Sequence, residues 1–397
     1  MRAPSYPELV RHDDRTPTAA SAEAPETSTS AGSRWRRRGL IGLAVIVILA
    51  IVVQPVRLRA TAAVTVADGL DLPVPRPFAS EFERRATVID GLEVDVYGPP
   101  ASDDARPPLH VHGDVEVVLM VPGAAPAGRD DTRLVVLAEA FARSDRVVIV
   151  PELEVYQETL VPEDLERLVT LIGALAPHHG PVVLTGISFG GSLGLIAAGD
   201  PRVAGDVALG GTFGAYADLA GVLQAATTGV GLVDGEAYPW DADPRAEQGV
   251  REQIVGLLPP EDGERLDRAL DREDPSQLSA ELRPAYDVLT QSDPERVMGL
   301  VASLPAPVLD RLQVVSPTRA VPALDVPIVA LHARDDPVIP YAELHRLGSA
   351  YPHAELLSLE TFDHVGIDPE DEPSWWVTVR DLWNTTRFVT EVLRAGS

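Results

Sequence analysis

The sequence predicts an α/β protein with a mostly parallel, doubly wound β-sheet, a helical insertion and one preceding transmembrane helix. From about residue 87, short runs rich in branched residues alternate with helical stretches, the pattern of a parallel sheet with helices on both faces. The alternation stops between Phe213 and Leu324 and then resumes. An apolar run, Gly39–Val56, lies upstream of the whole pattern.

The first 86 residues are expected to lie outside the folded core. Residues 1–38 are rich in Ser, Thr, Ala and Pro, which predicts a disordered tail, and they end in the basic cluster Arg34–Arg38. Gly39–Val56 would span roughly 27 Å as a helix, enough to cross a bilayer core. The excess of arginines before it predicts a cytoplasmic N-terminus and an extracytoplasmic body. Residues 57–86 are interpreted as a linker.

Two other interpretations of the apolar run stay open. It could be an export signal, because Ala60-Thr61-Ala62 has the small-x-small form of a cleavage site. It could also be a buried core helix, which the adjoining basic tail argues against.

The predicted core has two parts, residues 87–212 and 325–397, separated by a helical cap at 213–324. An Asp90-Gly91 hairpin turn is expected between its first two strands. Strands are expected at Thr87–Ile89, Leu92–Tyr97, Val115–Val121, Arg146–Val150, Pro181–Ile187, Val207–Leu209, Pro327–Leu331 and Glu355–Leu359. Helices are expected at Thr132–Arg143, Pro162–Leu175, Phe189–Ala198, Tyr341–Ser349 and Trp375–Leu393.

Composition excludes several kinds of chemistry. The chain contains no cysteine, so disulfides, thiolate metal sites and cysteine nucleophiles are excluded. Residues 57–397 carry 26 arginines and 55 acidic residues, and a body this acidic would be repelled by nucleic-acid phosphates. No cluster of metal ligands is visible in the sequence, and neither a metal nor another cofactor is predicted.

The strongest local motif is Gly186-Ile187-Ser188-Phe189-Gly190-Gly191, between a buried apolar strand and an apolar helix. A turn this tight forces Ser188 into a strained backbone, and side chains at positions 186 and 190 would collide across it. The turn would lift the serine hydroxyl above the sheet edge, at a helix N-terminus that favours negative charge. Ser188 is therefore the predicted nucleophile.

With this motif the chain resembles the α/β-hydrolase superfamily, from about Thr87 to the C-terminus apart from the insertion. The resemblance implies an acid and then a histidine, each on a loop after a later strand. The stretch after Pro327–Leu331 is similar to the loop that carries the acid in this family, and alignment on Val338 and Pro340 selects Asp336. Asp335 is the local alternative, and Ala333 stands where the family usually has glycine.

Of the nine histidines, His364 alone is predicted to follow the last strand at its C-terminal end. The others lie in the tail, in helices, before strands or, for His332, directly after a strand. In the implied mechanism His364 takes the proton of Ser188, and Asp336 orients the imidazole.

The resemblance also implies two backbone N–H donors for the oxyanion. The first is Phe189; the second is Ala124, with Ala125 as the alternative. The family often has His-Gly before the second donor, whereas this chain has Pro122-Gly123. Two further acids that follow a strand, Glu152 and Glu154, would either face the cleft or lie in a solvated loop.

These residues predict a membrane-anchored serine hydrolase that cleaves an ester or amide of a small molecule or lipid through an acyl-enzyme. The alternatives are an acyltransferase with the same triad and a non-catalytic, hydrolase-like binding protein. The cap is expected to lie over Ser188 and shape the acyl pocket, unless it is a peripheral decoration. Its candidate lining residues are Phe213, Tyr216, Tyr238 and Trp240.

Overall fold

The computed structural model describes residues 58–70, 80–101, 108–110, 116–154, 162–360 and 375–395. The predicted tail, the predicted transmembrane segment and His364 lie outside these ranges. Within them, no single helix is both long and apolar enough to cross a membrane.

Among the described residues, eight strands form the central sheet, and their order places the serine motif near the middle. The order is β1-β2-β4-β3-β5-β6-β9-β10. β2 pairs antiparallel with β1 and with β4, and every other pairing is parallel. The strands are β1 (Glu83–Ile89), β2 (Leu92–Gly98), β3 (Val117–Val121), β4 (Val147–Pro151), β5 (Val182–Ile187), β6 (Val207–Phe213), β9 (Ile328–Ala333) and β10 (Glu355–Leu359).

Helices cover both faces of this sheet. One apolar cluster joins it to α3 (Pro162–His179), α4 (Phe189–Ala198) and α12 (Ala342–Ala350). A second cluster joins the opposite face to α1 (residues 58–69), α2 (Thr132–Ala142) and α13 (Trp375–Ala395). The doubly wound architecture that the alternating pattern predicts is confirmed.

The first two strands meet at the predicted turn. Asp90 and Gly91 both have positive φ, 47° and 83°, which fits the type I′ geometry that matches strand twist. β1 nevertheless begins four residues earlier than predicted, at Glu83, because paired strands extend as far as their partner allows.

The expectation of a plain linker over residues 57–86 is wrong for 58–69, which form α1. Ala62 and Val66 of this helix are buried in the second apolar cluster. Thr65 Oγ1 hydrogen-bonds Ser144 Oγ in the interior, and Arg143 Nη1 lies 2.6 Å from Asp68 Oδ2. Helix α1 is therefore part of the folded core.

The insertion between β6 and β9 has a core of its own and contains a hairpin as well as helices. Its helices are α5 (Leu219–Thr228), α6 (Pro244–Leu257), α7 (Pro260–Arg272), α8 (Arg283–Thr290), α9 (Pro294–Val301), α10 (Ala306–Val315) and α11 (Pro317–Ala320). The hairpin strands are β7 (Val230–Val233) and β8 (Glu236–Pro239), joined by Asp234 and Gly235 at positive φ. An apolar cluster unites α5 to α10, so the segment is an ordered subdomain.

Candidate active site

Ser188 occupies a strained turn at the junction of β5 and α4. Its backbone has φ 53° and ψ −127°, a conformation that side-chain-bearing residues rarely adopt. Ser188 N donates to Phe213 O on β6 at 2.8 Å, and Ser188 O accepts from Gly191 N at 3.0 Å. The turn is therefore held on both sides, and the serine is 5% exposed.

The glycines around Ser188 are required by close backbone approach. A Cβ at Gly186 would lie 2.5 Å from Gly190 O and Gly191 N. A Cβ at Gly190 would lie 2.1 Å from Pro122 O, in the loop that follows β3. The glycines expected from the motif therefore have the steric role that the sequence assigned to them.

The loop after β3 also contacts the serine itself. A Cβ at Gly123 would lie 3.3 Å from Ser188 Cβ and 3.1 Å from Ile187 O. Ala124, next along this loop, is half-buried and packs against the apolar core. Phe189 is the first residue of α4, where the N–H groups have no partner within the helix.

Asp336 lies on the loop that follows β9. Its carboxylate is 1% exposed, whereas Asp335 is exposed to solvent. Oδ1 of Asp336 accepts from Val338 N at 2.8 Å and from Ile339 N at 2.9 Å, which fixes the carboxylate on its loop. Of the two candidate acids, Asp336 is thus the one with a buried and oriented side chain.

His332 lies beside Asp336, a contact that no sequence pattern predicts. The sequence placed His332 just after a strand, but β9 continues through Ala333 and buries the imidazole completely. Its Nε2 lies 3.0 Å from Ile339 O and 3.4 Å from Asp336 Oδ2. Because a carbonyl oxygen only accepts, Nε2 carries the proton and donates to Ile339 O.

Trp240 braces the acid loop from the insertion. Its indole Nε1 donates to Asp336 O at 2.7 Å, and Asp243 N donates to Pro337 O at 2.8 Å. Trp240 directly follows Pro239, the last residue of β8, and its apolar character alone could not reveal this partner. The brace joins the insertion directly to the residue that would orient the histidine.

The structure places the four residues predicted to line an acyl pocket in different surroundings. Tyr216 is fully buried and donates to Val315 O at 2.9 Å, and Trp240 is buried as described. Tyr238 stacks on His345, with ring centroids 4.5 Å apart. Phe213 lines a cavity on the α1–α2–α13 side of the sheet.

A buried carboxylate on α12 binds the backbone at the start of the insertion. Glu343 on α12 accepts from Ala217 N at 3.0 Å and Asp218 N at 2.8 Å, and pairs with Arg346 at 3.0 Å. Burial raises the pKa of Glu343, while Arg346 opposes that rise. A glutamate in a helix with polar neighbours gave no sequence sign of this role.

The two acids after β4 are held by arginines. Arg129 pairs with Glu152 and also with Asp95 at 3.2 Å. Arg167 lies 3.3 Å from Glu154 and 2.7 Å from the buried Asp164. These ion pairs give both glutamates a structural partner.

No group of three or more His, Asp or Glu residues that could hold a metal ion occurs in the described part of the chain. His364 and the rest of residues 361–374 lie outside it, so its distance to Ser188 and Asp336 stays a prediction.

No family model and no curated protein matches the chain. Solved structures do resemble it at low identity. DphMB1 has 15% identity and a TM-score of 0.45, with 83% of this chain and 88% of that chain covered. The 2-hydroxy-6-oxo-6-phenylhexa-2,4-dienoate hydrolase of Rhodococcus sp. strain RHA1 has 15% identity and a TM-score of 0.41, with 79% and 99% covered.

An esterase from Pyrobaculum calidifontis has 15% identity and a TM-score of 0.41, with 86% of this chain and 90% of that chain covered. The chain's own topology is more informative than these values. Its sheet order has one antiparallel strand beside a parallel series, a strained serine turn follows β5, and a buried acid follows β9. This chain has the α/β-hydrolase fold.

Proposed function

We propose that the protein is a serine hydrolase that cleaves an ester bond through an acyl-enzyme on Ser188. The observation that carries this proposal is the strained backbone of Ser188, φ 53° and ψ −127°, at the start of α4. Such strain costs on the order of 1–3 kcal/mol and persists only where surrounding structure enforces it. Here Phe213 O and the tightly packed glycines enforce it.

In the proposed reaction His364 removes the Ser188 proton as Oγ attacks the ester carbonyl. The oxyanion is stabilised by the N–H groups of Phe189 and Ala124, each worth roughly 3–4 kcal/mol in comparable sites. His364 then protonates the leaving alcohol, and water repeats the sequence to release the acid. The carboxylate of Asp336 stabilises the imidazolium.

The burial of Asp336 supports its assignment as the acid. Oδ1 is engaged by two backbone N–H groups, which keeps the carboxylate in one orientation. The imidazole of His332 packs beside the carboxylate, with Nε2 3.4 Å from Oδ2. Asp335, exposed and one residue away, lacks this environment.

The decisive experiment is hydrolysis of a nitrophenyl ester series by the full-length protein and single variants. Ser188→Ala and His364→Ala should each remove nearly all turnover, and Asp336→Asn should reduce kcat roughly 10⁴-fold through the wrong tautomer. Asp335→Asn and His353→Ala are the matched controls, because both replaced side chains are exposed. Wild-type turnover by Ser188→Ala would exclude the serine mechanism and favour a non-catalytic binding protein.

We also propose that residues 39–56 anchor the protein in a membrane with the hydrolase body outside. The composition of this segment and the basic cluster before it support the orientation. Protease added to intact cells should degrade the body. Protection in intact cells together with degradation after lysis would reverse the orientation, and a mature form beginning near Ala63 would indicate a cleaved signal.

A further inference from the structure

A cavity of about 350 Å³ lies on the sheet face that carries α1, α2 and α13. Its walls come from all three helices and from the C-terminal ends of four strands. The apolar lining includes Val66, Leu137, Phe388, Ile187, Phe213 and Leu359. The cavity thus lies along the same sheet edge as Ser188, but on the opposite face from α4.

The chemistry of the lining defines the ligand class. Arg133 is the one charged residue among the lining residues of the described chain, and it pairs with Asp131 at 2.7 Å. The hydroxyl of Thr385 donates to Asp381 O, and that of Thr65 donates to Thr61 O. A lining with its charge neutralised and these hydroxyls engaged favours an uncharged apolar group over a carboxylate.

The volume defines the size of that group. An apolar cavity of about 150 Å³ already accepts benzene. At about 30 Å³ for each group of the size of a water molecule, this cavity holds about a dozen such groups. That capacity fits one alkyl chain of about ten carbons.

The cavity is also one residue away from the proposed nucleophile. Ile187, which lines it, directly precedes Ser188, and Phe213, which also lines it, accepts the hydrogen bond from Ser188 N. We propose that this cavity is a binding site for a single alkyl chain, either of the ester substrate or of a lipid. Its link to the substrate rests on the proposed function; the binding of an alkyl chain does not.

Gly69 on α1 offers a direct way to fill the cavity. It lines the cavity, and a Cβ there would meet only Ala140 Cβ at 3.9 Å, so a side chain can begin at this position without a clash at Cβ. Gly173 on α3 is the matched control, since it is also a helical glycine with nothing within 4 Å of a Cβ. The variants are Gly69→Phe and Gly173→Phe, with Val136→Phe as a second filling variant on α2.

The binding test uses the full-length protein in lipid nanodiscs and a decanol that carries a photoreactive diazirine, with labelled peptides identified by mass spectrometry. We expect labelling of the α2 and α13 peptides that excess decanol suppresses. Gly69→Phe and Val136→Phe should reduce it at least about tenfold, because several buried methylene contacts are lost. Gly173→Phe should leave it unchanged.

Labelling of the α2 and α13 peptides that persists in both filling variants would overturn the proposal. Labelling of these peptides that is no stronger than labelling elsewhere in the protein would also overturn it. A second arm separates the sources of the chain by comparing butyrate and decanoate esters. If the substrate supplies the chain, the filling variants lose kcat/KM for decanoate and keep it for butyrate. If a lipid supplies it, labelling falls while both ester rates stay level. Because labelling needs no turnover, it also shows whether the cavity binds an alkyl chain if Ser188 proves inactive.

Discussion

Gly190→Ala would place a methyl group against the backbone of the loop after β3. The added Cβ would lie 2.1 Å from Pro122 O and 2.6 Å from Val121 O, and both are backbone atoms that no rotamer change can move. The elbow and the loop after β3 must therefore separate by about 1.3 Å to bring this Cβ from 2.1 Å to ordinary van der Waals contact at 3.4 Å. We expect overpacking to cost about 1–3 kcal/mol of the free energy of unfolding.

The same displacement would move Ser188 relative to the loop that holds Gly123 and Ala124. Misplacement by about 1 Å typically costs about 10²-fold in rate, so kcat should fall by that order. Gly194→Ala is the control on the same helix, because its Cβ would meet Leu184 at an ordinary 3.5 Å. Urea unfolding and ester kcat on both variants measure the difference. Equal stability and equal turnover in Gly190→Ala and wild type would refute the steric reasoning.

Three further predictions concern the supports of the site. Ser192→Ala leaves Tyr216 N and O without their buried partner and should cost about 1–3 kcal/mol in urea unfolding, while fluorophosphonate labelling persists; unchanged stability would contradict it. Trp240→Phe removes the donor to Asp336 O and should cost about 1–2 kcal/mol and lower ester kcat, and an unaltered kcat would show that the brace is dispensable. Asp131 caps α2, so Asp131→Ala should cost about 1 kcal/mol at neutral pH and Asp131→Asn less. The pKa of Asp131 is lowered, chiefly by the side-chain hydrogen bond from Arg133. The stability that Asp131 adds is therefore present above about pH 4 and is lost as pH falls through its pKa in the folded protein. Unfolding curves for wild type and Asp131→Ala that stay equally far apart in acid would contradict this prediction.

The sequence predicted the central elements well because they carry two coincident signals. The helix at Phe189–Ala198 and the strand at Glu355–Leu359 have the bounds that the pattern predicted. Each is mostly apolar and has a clear turn on at least one side. The serine motif adds steric requirements, which a single sequence displays as glycines.

Contacts between distant segments could not be predicted. The burial of Glu343 depends on N–H groups more than 120 residues earlier in the chain, which no local pattern encodes. His332 is buried because β9 runs two residues further than its apolar core indicates. The Ala- and Thr-rich sequence of helix α1 has few large apolar residues, so composition alone predicts a linker there.

The hairpin in the insertion was missed for a different reason. Its Asp234-Gly235 turn is the same signal that correctly predicted Asp90-Gly91. The flanking strands have only four residues each and lie among helices and prolines, so the local composition favoured helix or irregular structure.

The identity of the nucleophile is tested most directly by fluorophosphonate labelling of the full-length protein, followed by mass spectrometry of the modified peptide. We expect a single adduct on Ser188 in the wild-type protein, no adduct in Ser188→Ala, and an adduct formed far more slowly in His364→Ala. An adduct on another serine, or equal labelling of Ser188→Ala and wild type, would contradict it.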